Sequence, residues 1–278
     1  MKIDEAVIIL GGMGTRLLPL TKTVSKEMLP SFDVPTIFKL VEEAYKSGIK
    51  KIIFVITKHN KKLIESFFSK DVYYDNFLKD KPEKQKLLER VNEVINNMEF
   101  KYVYQNIKGS FGALYSARKY IKNDNFILMF GDDLVDSNTP LTKLLINEFN
   151  KKNNMYVAIK ETKEEDLPKV GVVKLDKDNN IIDLVPKNEN NSKCIIHGRM
   201  LLNKKIFTIK NKLVKHDNDE YYLPYALLEF IGEVKGIKYT GDYFNIGEKT
   251  GFIKASIHYA LKDKLVKDDL IKYLKEII

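Results

Sequence analysis

The sequence predicts an α/β fold, a doubly wound and mostly parallel mixed sheet flanked by helices, on three observations. Ala6-Val7-Ile8-Ile9 runs directly into Leu10-Gly11-Gly12-Met13-Gly14-Thr15-Arg16, a β-branched strand breaking into glycines. Residues 36–47 then carry Ile37, Leu40, Val41 and Ala44 at helical spacing, with Gly48 as the stop. Residues 51–57 (KIIFVIT) are apolar without alternation, as in a parallel strand covered on both faces. Strand, glycine loop, helix and strand in that order open a Rossmann-like arrangement, whose ligands bind at the carboxyl ends of the strands.

The loop itself suggests the ligand. Glycines leave successive backbone N–H groups bare, and such groups form a concavity suited to a polyphosphate. Arg16 adds a planar cationic fork and Lys26, in Lys26-Glu27-Met28-Leu29-Pro30, adds a point charge. Neither common phosphate loop fits. No Gly-Lys-Ser/Thr follows, and Leu17 stands where the dinucleotide fingerprint needs its last glycine.

Further along, 59–68 and 84–96 read as helices separated by a polar, aromatic stretch. Residues 100–105 (FKYVYQ) alternate as a strand and deliver Gln105 to its end, ahead of Gly109-Ser110-Phe111-Gly112-Ala113 and a helix reaching Ile121. A carboxamide pairs a donor with an acceptor and so suits a pyrimidine edge; an exposed polar residue closing a strand is the plainer alternative. Residues 125–131 (NFILMFG) form a buried strand that empties into Asp132-Asp133, where a carboxylate at the sheet edge could hold Mg²⁺ together with phosphate oxygens. Turn or cap formation is the competing role, expected for Asp136-Ser137-Asn138-Thr139-Pro140, and Asp133 is expected to be structural. A strand at 155–160 and a hairpin of 170–175 and 181–185 follow.

With 278 residues and 44% hydrophobic content, one large core is expected. We read one domain, 1–278, with a first half, 1–150, and a second half, 151–278. The formal charge of +9 is spread along the chain rather than gathered into a basic tract, so no nucleic-acid partner is expected. The lone Cys194 excludes a disulfide framework. No leader pattern and no apolar run of about 20 residues is present, so we expect a soluble, cytoplasmic protein without a membrane partner.

The Gly-x-Gly-Thr-Arg loop, Thr21-Lys22, Lys26 to Pro30 and Asp33-Val34-Pro35 together resemble the nucleotidyltransferases that join a nucleoside triphosphate to a sugar 1-phosphate. Within them the chain looks most like the bacterial UTP:glucose-1-phosphate uridylyltransferases: helix 84–96 stands where these carry an insertion, and 198–203 and 205–207 resemble their strand and the helix start that follows it. The resemblance implies transfer of uridylyl from UTP to glucose 1-phosphate, Mg²⁺ as cofactor, a small sugar-binding β subregion in 151–278, and a homo-oligomer, dimer or tetramer. It implies catalytic roles for Arg16, Lys26, Asp132 and Lys187. Nucleotide binding would fall to Leu10, Gly11, Gly12, Gly14, Thr15, Gln105 and Gly112. Gly171 and Glu220 would bind sugar, and Asp132 and Asn245 would hold the metal.

The chain also departs from that pattern. Ser110 and Ala113 replace glycine and histidine, Pro186 replaces a sugar-binding glutamate before Lys187, and Asn245 replaces the second metal carboxylate. Asp242 lies an odd number of residues earlier on a strand, on the opposite face, and does not substitute for it. Three readings stand: a working uridylyltransferase, an impaired nucleotide-binding paralogue acting as a regulatory subunit, and a transferase for another phosphorylated acceptor.

Overall fold

The central strand-forming runs, Glu5–Ile9, Lys51–Ile56 and Asn125–Phe130, assemble side by side because each is too apolar to face water on either side. The computed structural model describes residues 2–162, 172–185, 192–215 and 219–277. β1 (Glu5–Ile9) pairs in parallel with β2 (Lys51–Ile56) and with β4 (Asn125–Phe130), and β2 pairs in parallel with β3 (Glu99–Tyr104). β3 lies at the sheet edge and alternates in exposure, as its sequence does. Beyond β4 the sheet continues through β9 (Cys194–Asn203), antiparallel to both β4 and β6 (Met155–Glu161), and ends on β10 (Val234–Lys238). The order is therefore β10-β6-β9-β4-β1-β2-β3, with the hairpin of β7 (Val172–Leu175) and β8 (Ile181–Val185) joined at β9.

Helices cover both faces. α1 (Thr36–Lys46) buries Ile37, Phe38, Leu40 and Val41, each a burial of roughly 1.5–3 kcal/mol, against Ile8 and Phe54. On the other face α5 (Ser110–Ala117) sets Phe111 and Leu114 against Val7, Val55 and Phe126. Between β2 and β3 run α2 (Lys61–Phe67), α3 (Val72–Phe77) and α4 (Pro82–Asn97). The polar, aromatic stretch read without structure is thus partly helical. Asp71 caps α3 by accepting from the N–H groups of Tyr73 (3.0 Å) and Tyr74 (3.2 Å), while none of its residues is buried, so no apolar period marks it.

β5 (Asp133–Asp136) leaves the main sheet and pairs antiparallel with β11 (Asp242–Asn245) in a separate two-stranded ribbon, Asp133 opposite Asn245. This corrects the expectation that 136–140 caps a helix. Asp136 belongs to β5 and accepts from His258 of α8 (Lys249–Ala260) and from Lys262 just beyond that helix. α6 (Leu141–Lys151) begins after Pro140 without a local side-chain cap; its Thr142 N–H instead donates to Glu43 Oε1 at 3.0 Å. α7 (Leu223–Leu228) and α9 (Lys267–Ile277) complete the helices named here. Among the described residues no helix is long and apolar enough to cross a membrane.

Candidate active site

The carboxyl ends of β1 and β4 meet: Gly131 N–H donates to Ile9 O at 3.0 Å, and a side chain at Gly131 would press on that carbonyl. Leu10, buried, fixes the exit of β1 through its N–H to Val55 O (2.8 Å), and buried Asn60 donates to Leu10 O at 2.7 Å. The chain then opens into the glycine loop. Gly14 takes a left-handed φ of 65°, and its carbonyl accepts from Thr21 Oγ1 (2.8 Å) and Leu17 N–H (2.9 Å). Among the described residues, no backbone carbonyl accepts from the N–H groups of 11–16. The loop with Thr15 at its end therefore presents the bare donors an anion requires.

Positive and negative side chains converge on that loop. Lys26, on a short 3₁₀ turn (Lys26–Met28), pairs with Asp132, their side chains only 10% and 23% exposed. Lys26 Nζ lies 3.2 Å from where a Cβ on Gly12 would stand, so the ammonium sits on the loop floor. Asn245 ends β11 opposite Asp133. A Cβ placed on Gly247 would lie 3.0 Å from Asn245 Oδ1, 3.1 Å from Asp132 Oδ2 and 3.7 Å from Arg16 Nη2, which shows all three groups meeting at one spot. Asn245 Oδ1 also accepts from Gly247 N–H at 2.9 Å. Arg16 itself pairs with Glu248 at 2.7 Å in an exposed contact. Asp242 points away, as its position on the strand requires, its side chain 68% exposed beside His258.

Beneath the pair lies Glu27, wholly buried, with neither carboxylate oxygen hydrogen-bonded. Burial is the main cause that pushes its carboxyl up to about 7, with Lys26 opposing and Asp132 reinforcing the rise. A raised folded-state value means stability is present below about 4.5 and lost as pH rises through about 7. Glu27→Gln, which cannot ionise, should accordingly gain on the wild type by ~3 kcal/mol between pH 5 and pH 8 in urea unfolding. A difference independent of pH would show that Glu27 ionises normally.

The Gln105 end of the loop is equally defined. Gln105 N–H continues the sheet to Ile56 O (2.9 Å), its Nε2 donates to Ile107 O (2.9 Å), and its amide oxygen occupies the space a side chain on Gly11 would need. Gly109, at φ 84°, packs on the backbone of Tyr221, and Tyr221 exchanges bonds with Lys108 O (3.1 Å) and Phe111 N–H (2.9 Å). Gly112 is buried under Ile107, where any Cβ would come within 2.7 Å, so it shapes the turn by packing. Glu220 is half-buried next to Tyr221, at the border of this turn. Gly171, Pro186 and Lys187 lie outside the described residues.

The family description "Nucleotidyl transferase" matches residues 5–244. The chain belongs to that family. Among nucleotidyl transferases it is similar to the UTP–glucose-1-phosphate uridylyltransferase of Staphylococcus haemolyticus, 35% identical over 286 residues covering 99% of each chain. A second such enzyme, from Staphylococcus saprophyticus, is 34% identical over 99% of this chain and 98% of its own. Of solved structures, an apo UDP-glucose pyrophosphorylase superposes with a TM-score of 0.88 at 28% identity, covering 94% of this chain and 99% of that one. A UDP-glucose pyrophosphorylase complexed with UDP-glucose gives 0.84 at 28% identity, covering 94% and 100%.

In this nucleotidyl transferase several groups of the site escape sequence reasoning. Glu27 stood inside the lysine motif, and only its burial sets it apart. Asn60, Glu248 and the ion pair of Arg199 with Glu43 (2.9 Å) act across long stretches of chain and carry no local pattern. Asp133 is buried and accepts from Gly198 N–H and Tyr243 Oη, both at 2.7 Å, in keeping with the structural role expected for it.

Proposed function

We infer that the chain transfers uridylyl from UTP to glucose 1-phosphate, forming UDP-glucose and pyrophosphate. The observation that carries this is the meeting of Arg16, Lys26, Asp132 and Asn245 at the mouth of a loop with bare N–H groups, with Gln105 at its other end. A phosphate oxygen of the sugar attacks the α-phosphorus, an O–P bond forms, and the bond to the pyrophosphate oxygen breaks. No protein nucleophile is needed, so the residues act by position and charge. The loop from Leu10 to Thr15 cradles phosphate, and Arg16 and Lys26 meet its negative charge. Arg16 faces the site with Nη2 while its Nη1 pairs with Glu248, and Lys26 would meet phosphate from its place beside Asp132.

A carboxylate and an amide oxygen converging on one spot are a fitting donor set for a hard divalent cation that completes its shell with phosphate oxygens. We assign Mg²⁺ to Asp132 and Asn245, where it would neutralise phosphate charge. Lys187, Gly171 and Glu220 are proposed for the sugar phosphate and the hexose, and a homo-oligomer is proposed for the assembly.

Pyrophosphate release from UTP, glucose 1-phosphate and Mg²⁺ tests the reading directly, with CTP as the comparison. Gln105 offers one donor and one acceptor to uracil, and cytosine replaces a carbonyl by an amino group. A missed buried hydrogen bond costs about 1–3 kcal/mol, so UTP should be preferred roughly tenfold to a hundredfold, and Gln105→Ala should erase most of that preference. Equal turnover with CTP would refute the base assignment.

A further inference from the structure

The ribbon that brings Asp132 and Asn245 together is only four residues long on each strand. Two short strands alone are marginally stable in water, so something must hold them in register. The backbone contributes Ile246 N–H to Asp132 O at 2.9 Å. The side chains contribute one direct staple near the site: Tyr243 of β11 donates its hydroxyl to Asp133 Oδ1 of β5 at 2.7 Å. Tyr243 stands opposite Val135 in the register, so it reaches diagonally back toward the end of the ribbon that carries the site.

Both partners of that bond are anchored on β9. Asp133 Oδ2 accepts from Gly198 N–H at 2.7 Å, and the Asp133 carbonyl accepts from Arg199 Nη2 at 2.9 Å. The Tyr243 ring stacks on buried His197 with centroids 3.8 Å apart and planes 20° apart. His197 in turn is hydrogen-bonded to the Tyr239 hydroxyl. Burial keeps its imidazole neutral, its value pushed down to about 3, so the stack is between uncharged rings at neutral pH.

We propose that Tyr243 is a positioning residue for the divalent cation, its hydroxyl holding β11 against β5 so that Asn245 Oδ1 and Asp132 Oδ2 face the same point. The inference rests on the assignment of the cation to Asp132 and Asn245. Its physical content is that a residue touching neither metal nor substrate fixes the separation of two oxygens on different strands. Loss of one such outer hydrogen bond typically weakens metal binding about tenfold to a hundredfold. Tyr243→Phe keeps the ring on His197 and removes only the oxygen.

The test compares Tyr243→Phe with Tyr239→Phe, which deletes a neighbouring buried hydroxyl of the same network that does not touch Asp133. Mn²⁺ binding to the ligand-free protein is followed by water-proton relaxation, and the Mg²⁺ concentration for half-maximal pyrophosphate release is measured alongside. Tyr243→Phe should weaken both about tenfold, with kcat at saturating Mg²⁺ largely kept, while Tyr239→Phe stays within about twofold of wild type. Equal shifts in the two variants would mean general loosening and overturn the proposal. So would an unchanged metal requirement in Tyr243→Phe when Asp132→Asn lowers Mn²⁺ binding. If Asp132→Asn leaves Mn²⁺ binding intact, the metal assignment itself is wrong and the proposal falls with it.

Discussion

Asp132→Asn is expected to lower pyrophosphate release by about a thousandfold at saturating UTP and glucose 1-phosphate, the scale of losing one preorganised electrostatic contact in a catalytic site. The replacement keeps size and shape but removes the charge that pairs with Lys26 and converges with Asn245 and Arg16. Two effects add. The cation proposed for this spot would lose its single carboxylate, since Asn245 brings none, and Lys26 loses the partner that holds its ammonium on the loop floor. The fold should be largely spared, because the carboxylate is partly exposed and outside the main sheet. A circular-dichroism melt within a few degrees of wild type would confirm that turnover was lost in the site. Turnover near wild type would remove Asp132 from the proposed mechanism.

Glu43→Ala is expected to have the largest effect on stability. Arg199 is fully buried, and its guanidinium is satisfied by Glu43 (2.9 Å from Nη2 to Oε2), by Gly198 O (2.9 Å) and by Asp133 O (2.9 Å). Glu43 supplies the only carboxylate among these partners, and it also caps α6 through Thr142 N–H and Oγ1. Removing it leaves a buried cation uncompensated, which costs about 3–5 kcal/mol, and leaves the first turn of α6 with an unsatisfied donor. Urea unfolding should show the loss, and a melting temperature lower by roughly 10 °C should accompany it. The double variant Glu43→Leu, Arg199→Met should recover much of it, since apolar replacement of a whole buried pair is often neutral. A loss under ~1 kcal/mol in Glu43→Ala would show that the pair is solvated in solution.

The central strands and α1 were legible because burial on both faces leaves continuous apolar runs, and burial on one face leaves a 3.6-residue period. β10 (VKGIK) was not foreseen: it is five residues long, and its Gly236 is dictated by Ile159 of β6, against which any Cβ would press. β9 was read only from residue 198, because its first residues alternate less regularly and pair across a bulge with β6. The glycine loop, Gln105 and Asp132 were legible as strand ends pointing to one sheet edge, and Lys26 by the motif that follows the loop. Their partners were not. Arg16 meets Glu248 across 232 residues and Arg199 meets Glu43 across 156, and contacts at such separations leave no mark on local sequence. Asp136 misled for a related reason: an aspartate before Ser-Asn-Thr-Pro looks like a cap, but a tertiary pair with α8 outcompetes that local use.

The β5–β11 ribbon also joins parts of the site that lie far apart in the chain. The glycine loop, Lys26 and Asp132 all belong to the first half of the chain, and Lys26 and Asp132 form an ion pair beside the carboxyl ends of β1 and β4. Asn245, Gly247 and Glu248 come more than a hundred residues after Asp132, and among the described residues β11 pairs with β5 alone. The proposed site is therefore incomplete until Asn245 returns to a strand more than a hundred residues earlier in the chain.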